Sequence, residues 1–461
     1  MNTLIAVGVL AVIVLLAEII NLRKLIIPVT LVGLLGILGY TLCNIDVVEA
    51  HYNNMIVTTK FSSAFSSLFI ALTILLVALS KDFYQTQFSK ISDYISLKLF
   101  LLMGAISMVS FGNMAMFFVG LEILSITLYI LCGSDRTNIK SNESAMKYFL
   151  LGSFASGVVL FGIALIYGAT GSFDLAQIAK LTTSNPMPVW YALGVTMVVI
   201  GMLFKIAAVP FHFWAPDVYQ GAPNITTAMM STLVKVTAVA TLYKVSINLL
   251  HQMPSHYTTA IVIIAILTMT VGNIMALRQD NMKRLLAYSG ISHAGFMMIA
   301  LTALGSATPN LFYYATSYAF AGIAAFTVLT IVTKGKDNEH INNFKGLGKS
   351  NPLLAVILAV ALLSMGGIPI FAGFFGKFFL FTEAVKNGFI TLVIFGVINS
   401  FISIYYYLKI IILMFGKNQE EEQAEPTAIL VPLSYKIVGL IAVAAVVVFG
   451  LFPSLLLGLF N

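Results

Sequence analysis

The chain has 461 residues, 59% of them hydrophobic and 9% charged, with a formal net charge of +7. Soluble domains carry about 25% charged residues, so this composition excludes a water-soluble globular protein. The apolar runs are ~20 residues long, as helices crossing a ~30 Å hydrocarbon core require, and the alternating ~10-residue strands of a membrane barrel are absent.

The expected fold is an all-α polytopic membrane protein with about 14 transmembrane helices. In chain order the spans lie near 3–22, 25–44, 64–80, 96–111, 113–132, 144–168, 189–209, 225–250, 257–277, 284–304, 310–333, 352–384, 388–415 and 433–458. The first follows no basic stretch and precedes no small-residue cleavage site, so it reads as a retained span rather than a signal peptide. The seventh continues past Pro210 as a second short piece. The twelfth is interrupted by Gly366, Gly367 and Pro369. Cys43 and Cys132 fall on opposite membrane faces, which argues against a disulfide. Two isolated thiols give no metal or haem spacing. No Gly-rich phosphate loop is present, and the chain is expected to hold no cofactor.

The basic residues orient the spans. Odd-numbered connections carry Arg23, Lys24, Lys81, Lys90, Lys98, Arg136, Lys140, Lys147, Arg278, Lys283, Arg284, Lys334, Lys336, Lys345, Lys349 and Lys417. Even-numbered connections carry only Lys60, Lys180 and Lys386. The positive-inside rule places the odd connections in the cytoplasm and both termini outside. The net positive charge thus reflects loop placement and implies no nucleic-acid partner. Lys409 and Lys436 can snorkel to the cytoplasmic surface, and Lys244 lies toward the outer end of its span. Glu420, Glu421, Glu422 and Glu425 read as a solvated loop.

Four charged residues remain at bilayer depth: Glu122, Lys205, Lys235 and Lys377. Such a charge is expensive and marks a functional site by default. Glu122 has no basic residue in its own span and needs a partner from another. Between Lys205 and Lys235, Pro210, Pro216 and Pro223 break the helix, and freed backbone there needs protein or a water-filled cavity. Thr227, Ser231 and Lys235 are four apart on one helix face, as are Ser289 and His293. With Tyr313, Tyr314, Thr316, Ser317 and Tyr318 they can hold ordered waters from Glu122 to Lys377. For any single hydroxyl, a bond to a helix carbonyl is the plainer reading. For His212 that reading is a helix-end hydrogen bond, and for Asp217 it is capping or interhelix bonding.

The seventh and twelfth spans share a plan: a Met beside a small residue, a helix-breaking proline, a Phe-rich piece and one lysine. Paired broken spans in two halves mark inverted-repeat transporters. Five spans separate the pair, an odd number, so the repeat is inverted, with spans 4–8 matching spans 9–13. The expected divisions are an N-terminal three-helix segment (1–95), the two repeats (96–250 and 251–416), and a cytoplasmic loop with the last helix (417–461).

FKIAAVPFHFWAPDVYQGAP (204–223) followed by Lys235, QDNMKRLLAYSGISHAGF (279–296) and GGIPIFAGFFGKFFLF (366–381) together resemble the antiporter-like membrane subunits of respiratory complex I. The resemblance covers roughly residues 60–415. Lys377, where related subunit types usually carry glutamate, and the lack of a lateral helix after span fourteen fit the subunit N type. Gly290 departs from the serine common in the family. The resemblance implies that Glu122 is the fifth-helix glutamate pairing with Lys205. Lys235 would be the central lysine of the eighth helix, His293 the tenth-helix histidine, and Lys377 the twelfth-helix lysine.

That resemblance further implies a proton-translocating subunit of an NADH–quinone oxidoreductase in a bacterial inner membrane. Flavin, iron–sulfur clusters and quinone would be bound in other subunits. The implied partners are a subunit M-type neighbour, the small A/J/K-type subunits, the lateral helix of a subunit L-type neighbour, and the lipid bilayer. Paired with Glu122, Lys205 would hold its proton; separating the pair would pass it to Lys235 and then Lys377. The alternatives are a cation/proton antiporter subunit, a related complex using another electron donor, and a scaffold without transport. An antiporter calls for acidic mid-membrane ligands, of which only Glu122 qualifies. A scaffold would have lost its buried lysines.

Overall fold

A computed structural model describes residues 2–84, 90–184, 187–250, 255–336, 338–416 and 430–460. Lys417, Glu420, Glu421, Glu422 and Glu425 lie outside the described residues. The chain opens with α1 (Asn2–Ile19), α2 (Arg23–Cys43) and α3 (Lys60–Phe83). Between α2 and α3 an unpredicted hairpin pairs β1 (Glu49–His51) antiparallel with β2 (Ile56–Thr58). Its turn uses positive φ at Tyr52, Asn53 and Asn54, a conformation that short polar Asn tolerates. A capping box starts α3, with Thr59 and Ser62 each accepting from the other's backbone N–H.

The next segment contains α4 (Ile91–Ser110), α5 (Met114–Cys132), α6 (Ile139–Thr170), an unpredicted short α7 (Leu175–Ser184), α8 (Val189–Ile206), α9 (Trp214–Gly221) and α10 (Asn224–Met229). A π-helical turn, Met230–Val234, joins α10 to α11 (Lys235–Leu249). Then follow α12 (Ser255–Leu277), α13 (Met282–Met298), α14 (Thr308–Val332), α15 (Leu347–Ser350), α16 (Pro352–Gly366), α17 (Ala372–Lys386), α18 (Ile390–Phe415), α19 (Leu433–Leu451) and α20 (Ser454–Leu457).

Among the described residues, 13 helices are long and apolar enough to cross a membrane, with the α10–α11 run counted as one. The shorter apolar α16 is the first half of the predicted twelfth span. Both predicted breaks occur. The α8 helix stops at Ala207 (φ 59) and α16 at Gly367 (φ 83), each left-handed as at many helix C-termini. Pro210 and Pro369 then lie just beyond, where a helix cannot continue.

The α10–α11 run, α13 and α14 are buried along their lengths. These are the helices carrying Lys235, His293 and the tyrosines, so the polar residues run through the centre of the molecule. Outer helices turn apolar side chains outward, among them Val32, Phe154 and Phe401, as a lipid-facing surface requires. Where α6 crosses α8, a Cβ on Gly162 would lie 2.7 Å from the Gly194 carbonyl oxygen, and the reverse also holds. Small residues permit that backbone approach.

One charge assignment is corrected. Lys98 does not lie in a cytoplasmic connection. Because α4 begins at Ile91, Lys98 is two turns inside the helix and 0% exposed. Its ammonium donates to Ser80 Oγ at 2.5 Å and lies 4.8 Å from the Tyr84 ring centroid. Polar Ser92, Asp93 and Ser96 disguised the start of the helix, but Ser92 and Ser96 are buried. Lys283 is likewise buried at the start of α13, donating to the Ala222 carbonyl at 2.7 Å and pairing with Glu339 at 3.4 Å.

Candidate functional site

Lys205 occupies the last turn of α8, where unsatisfied carbonyls form the negative end of the helix. Its ammonium donates to Ser125 Oγ at 2.8 Å and Tyr148 OH at 3.1 Å. It also lies 5.3 Å from the Tyr148 ring centroid. Trp214 supports this arrangement from beyond the break. Its indole stacks on Tyr148 at 4.7 Å and donates to the Phe204 carbonyl at 3.0 Å. Glu122, three residues before Ser125 on α5, is within electrostatic reach of Lys205. The two form no direct ion pair, and Glu122 Oε1 is buried without a hydrogen-bond partner. The direct pairing expected from the resemblance is not seen; Ser125 and Tyr148 take two of the three ammonium donors.

Lys235 follows the π-helical turn and is 2% exposed. Its ammonium has no hydrogen-bond partner among the described residues, and its nearest recorded ring contact is Tyr219, 5.8 Å away. Below it on the same helix, Thr227 Oγ1 donates to the Tyr219 carbonyl at 2.9 Å, and Ser231 shares a 3.3 Å hydrogen bond with Tyr318.

His293 is buried on α13 between two phenols. Its Nδ1 lies 2.7 Å from Tyr314 OH and its Nε2 3.1 Å from Tyr407 OH. Tyr407 in turn bonds Ser289. His293 is within electrostatic reach of both Lys235 and Lys377. Lys377 sits on α17 but reaches back across the break, donating to the Met365 and Gly366 carbonyls at 3.2 Å each. It also lies 4.7 Å from the Phe296 ring centroid. The Lys377 ammonium therefore sits at the carbonyl end of a half-helix, whereas the Lys205 ammonium is held by hydroxyls of α5 and α6. The lysine precedes the break in one case and follows it in the other, which accounts for the reversed order of lysine and proline in the two segments.

Beyond the predicted residues, Ser125, Tyr148 and Tyr407 join the row. Tyr407 belongs to the run Tyr405–Tyr406–Tyr407, whose spacing alone does not reveal which hydroxyl points inward. Lys244 repeats the helix-end device, donating to the Val109 carbonyl at 2.7 Å. His212 Nδ1, Ser292 Oγ and Ser317 Oγ are buried without partners, and water suits such atoms. Among the described residues, no group of three His, Cys, Asp or Glu side chains could hold a metal ion.

Asp217 performs the interhelix bonding expected of it. Arg284 pairs with it at 2.7 Å and Lys147 at 3.1 Å, tying α9 to α13 and α6. Partial burial favours the neutral acid, but the two cations outweigh it and hold the carboxyl below the usual carboxylate range.

Residues 111–403 match the family described as NADH:quinone oxidoreductase/Mrp antiporter, TM. The chain is 55% identical to NADH-quinone oxidoreductase subunit N of Flavobacterium johnsoniae over 100% of both chains. Among solved structures, a chain of respiratory complex I from Thermus thermophilus with bound aureothin superposes with a TM-score of 0.85 at 31% identity, covering 99% of this chain and 98% of that one. A chain of an archaeal membrane-bound sulfane sulfur reductase gives a TM-score of 0.88 at 26% identity, covering 99% and 95%.

Proposed function

Because the chain belongs to the subunit N family of NADH-quinone oxidoreductase, an antiporter-like membrane subunit, we propose that it relays protons through Glu122, Lys205, Lys235, His293 and Lys377. Electron transfer in other subunits supplies the drive, from flavin and iron–sulfur clusters to a quinone. The observation that carries this reading is the Lys235 ammonium, buried at mid-span without a carboxylate or any other acceptor among the described residues. A cation left in that state has no structural use that an apolar side chain would not serve better. Two neutral-acceptor sites accompany it: hydroxyls of Ser125 and Tyr148 hold Lys205, and the carbonyls of Met365 and Gly366 hold Lys377, acceptors from which a proton can leave.

Fourteen crossings with both termini outside accompany this reading, α16 and α17 counting as one broken span. An inverted repeat of spans 4–8 and 9–13 is supported by matching neighbours: α4 packs on α5 as α12 on α13, α6 on α8 as α14 on α16, and α4 on α11 as α12 on α18. We take the repeats to be residues 96–250 and 251–416. On the side read as cytoplasmic, a cavity of about 380 Å³ is lined by Lys140, Asn224, Lys283, Lys336 and Glu339, giving water a route to the start of α10. Apolar Phe213 and Ile370, exposed beside the two breaks, suit packing against the antiporter-like and small subunits of the complex. A cation-antiporter role is not favoured, since among the described residues Glu122 is the single mid-span carboxylate available as a ligand.

The test is NADH-driven proton pumping by the intact complex in vesicles carrying Glu122→Gln or Lys205→Ala. Both variants are expected to pump at a fraction of the wild-type rate. Wild-type pumping by either one would overturn the relay.

A further inference from the structure

Gly290 lies inside α13, where glycine costs about 1 kcal/mol relative to alanine. Its backbone is ordinary helix, and it is absent from the positive-φ glycines, so conformation does not demand it. Space does. A Cβ built there would lie 3.0 Å from Lys235 Nζ and 3.0 Å from Tyr318 OH, close enough that both side-chain ends must shift by a few tenths of an ångström.

The same two distances fix how the ammonium and the phenol stand to each other. Both lie 3.0 Å from one point, so they are no more than about 6 Å apart. Lys235 has no hydrogen-bond partner among the described residues, so the two are not hydrogen-bonded to each other. A polar gap of that size is the span of one bridging water, with hydrogen bonds of about 2.7–3.2 Å on each side. Tyr318 continues the connection, bonding Ser231 at 3.3 Å and placing its ring 4.9 Å from the His293 ring.

We propose that Gly290 is a positioning residue that keeps a single-water bridge open between Lys235 and Tyr318, and that this bridge joins the Lys235 ammonium to the Tyr318–Ser231 hydrogen bond. The proposal rests on the relay reading. The water accepts from the Lys235 ammonium and hydrogen-bonds the Tyr318 hydroxyl. A proton leaving Nζ passes to the water oxygen as the water gives its own to the Tyr318 oxygen, Tyr318 gives its hydroxyl proton to Ser231 Oγ, and Ser231 releases its own to the next group of the row, so Lys235 is left a neutral amine and no charged phenol accumulates.

The experiment compares Gly290→Ala, Gly290→Ser, Tyr318→Phe and Lys235→Ala in the intact complex, reading NADH-driven proton pumping per assembled complex and its solvent deuterium isotope effect. Alanine and serine add the same Cβ, but serine brings a hydroxyl able to replace the water. Losing one hydrogen-bonded link is expected to slow pumping roughly fivefold in Gly290→Ala and to enlarge the isotope effect, with Gly290→Ser restoring most of the rate. Tyr318→Phe removes the far end of the bridge without adding bulk and is expected to match Gly290→Ala. Equal impairment of the alanine and serine variants would reduce Gly290 to a packing residue and overturn the proposal. So would wild-type pumping by Gly290→Ala or Tyr318→Phe. If Lys235→Ala itself pumps normally, the relay reading fails; if it alone is impaired, only the bridge fails.

Discussion

Tyr148→Phe removes one oxygen from the hold on Lys205 and leaves the surroundings intact. The phenyl ring can keep its 4.7 Å stack on Trp214 and its 5.3 Å approach to the ammonium. Of the two acceptors, only Ser125 Oγ at 2.8 Å then remains. A hydrogen bond involving a charged group contributes about 1.5–3 kcal/mol. Since about 1.4 kcal/mol is a factor of ten, the balance between proton held and proton released at Lys205 changes roughly ten- to a hundredfold. A relay that works through Lys205 slows several-fold as a result. The assay is NADH-driven acidification of vesicles holding the intact complex, normalised to assembled complex on a native gel. Ser125→Ala is expected to act similarly, and the double variant to approach Lys205→Ala. Wild-type rates in both single variants and in the double variant would refute the assignment of these acceptors to a working proton carrier.

Two further substitutions separate structure from transport. Lys98→Met replaces a buried ammonium that has no carboxylate partner among the described residues with an apolar side chain of similar length. The thermal midpoint of the complex is expected to hold or rise with pumping unchanged, whereas loss of pumping would bring Lys98 into the proton path. Asp217→Asn probes acid stability. The Asp217 carboxyl titrates below its unfolded value, so its stabilisation is fully present above about pH 3.9 and is lost as pH falls through the lowered folded value. Thermal melts taken from neutral to acid pH should show the variant less stable at pH 7 and the difference vanishing at the acid end. A constant difference across the series would count against the ion pairs.

The broken spans were legible in the sequence because proline and glycine end helices by covalent geometry, and their places in 204–223 and 366–381 mark both breaks. The buried charges were legible for an equally simple reason: Lys235 and Lys377 lie deep in their apolar runs, and beyond Lys205 the sequence stays apolar through the break to Trp214. What holds them was not legible. The carbonyls of Met365 and Gly366 that receive Lys377 belong to the backbone and leave no mark in residue identity. Lys98 was missed because buried serines near a helix start look like a loop to any hydropathy reading. That Ser125 and Tyr148, and not Glu122, bond the Lys205 ammonium depends on side-chain direction, which residue identity does not encode. The hairpin at 49–58 rests on three consecutive residues with positive φ, a local conformation with little hydrophobic signature.

The account requires continuity, a hydrated row in which no step between Glu122 and Lys377 is closed by apolar packing. A cryo-electron microscopy map of the intact complex, at a resolution that shows ordered water, tests this most directly. The relay predicts water density beside Glu122 Oε1 and between Lys235 and Tyr318, joining through His293 toward Lys377. A dry gap, with apolar side chains filling the space between Lys235 and His293 in every state of the working complex, would contradict it.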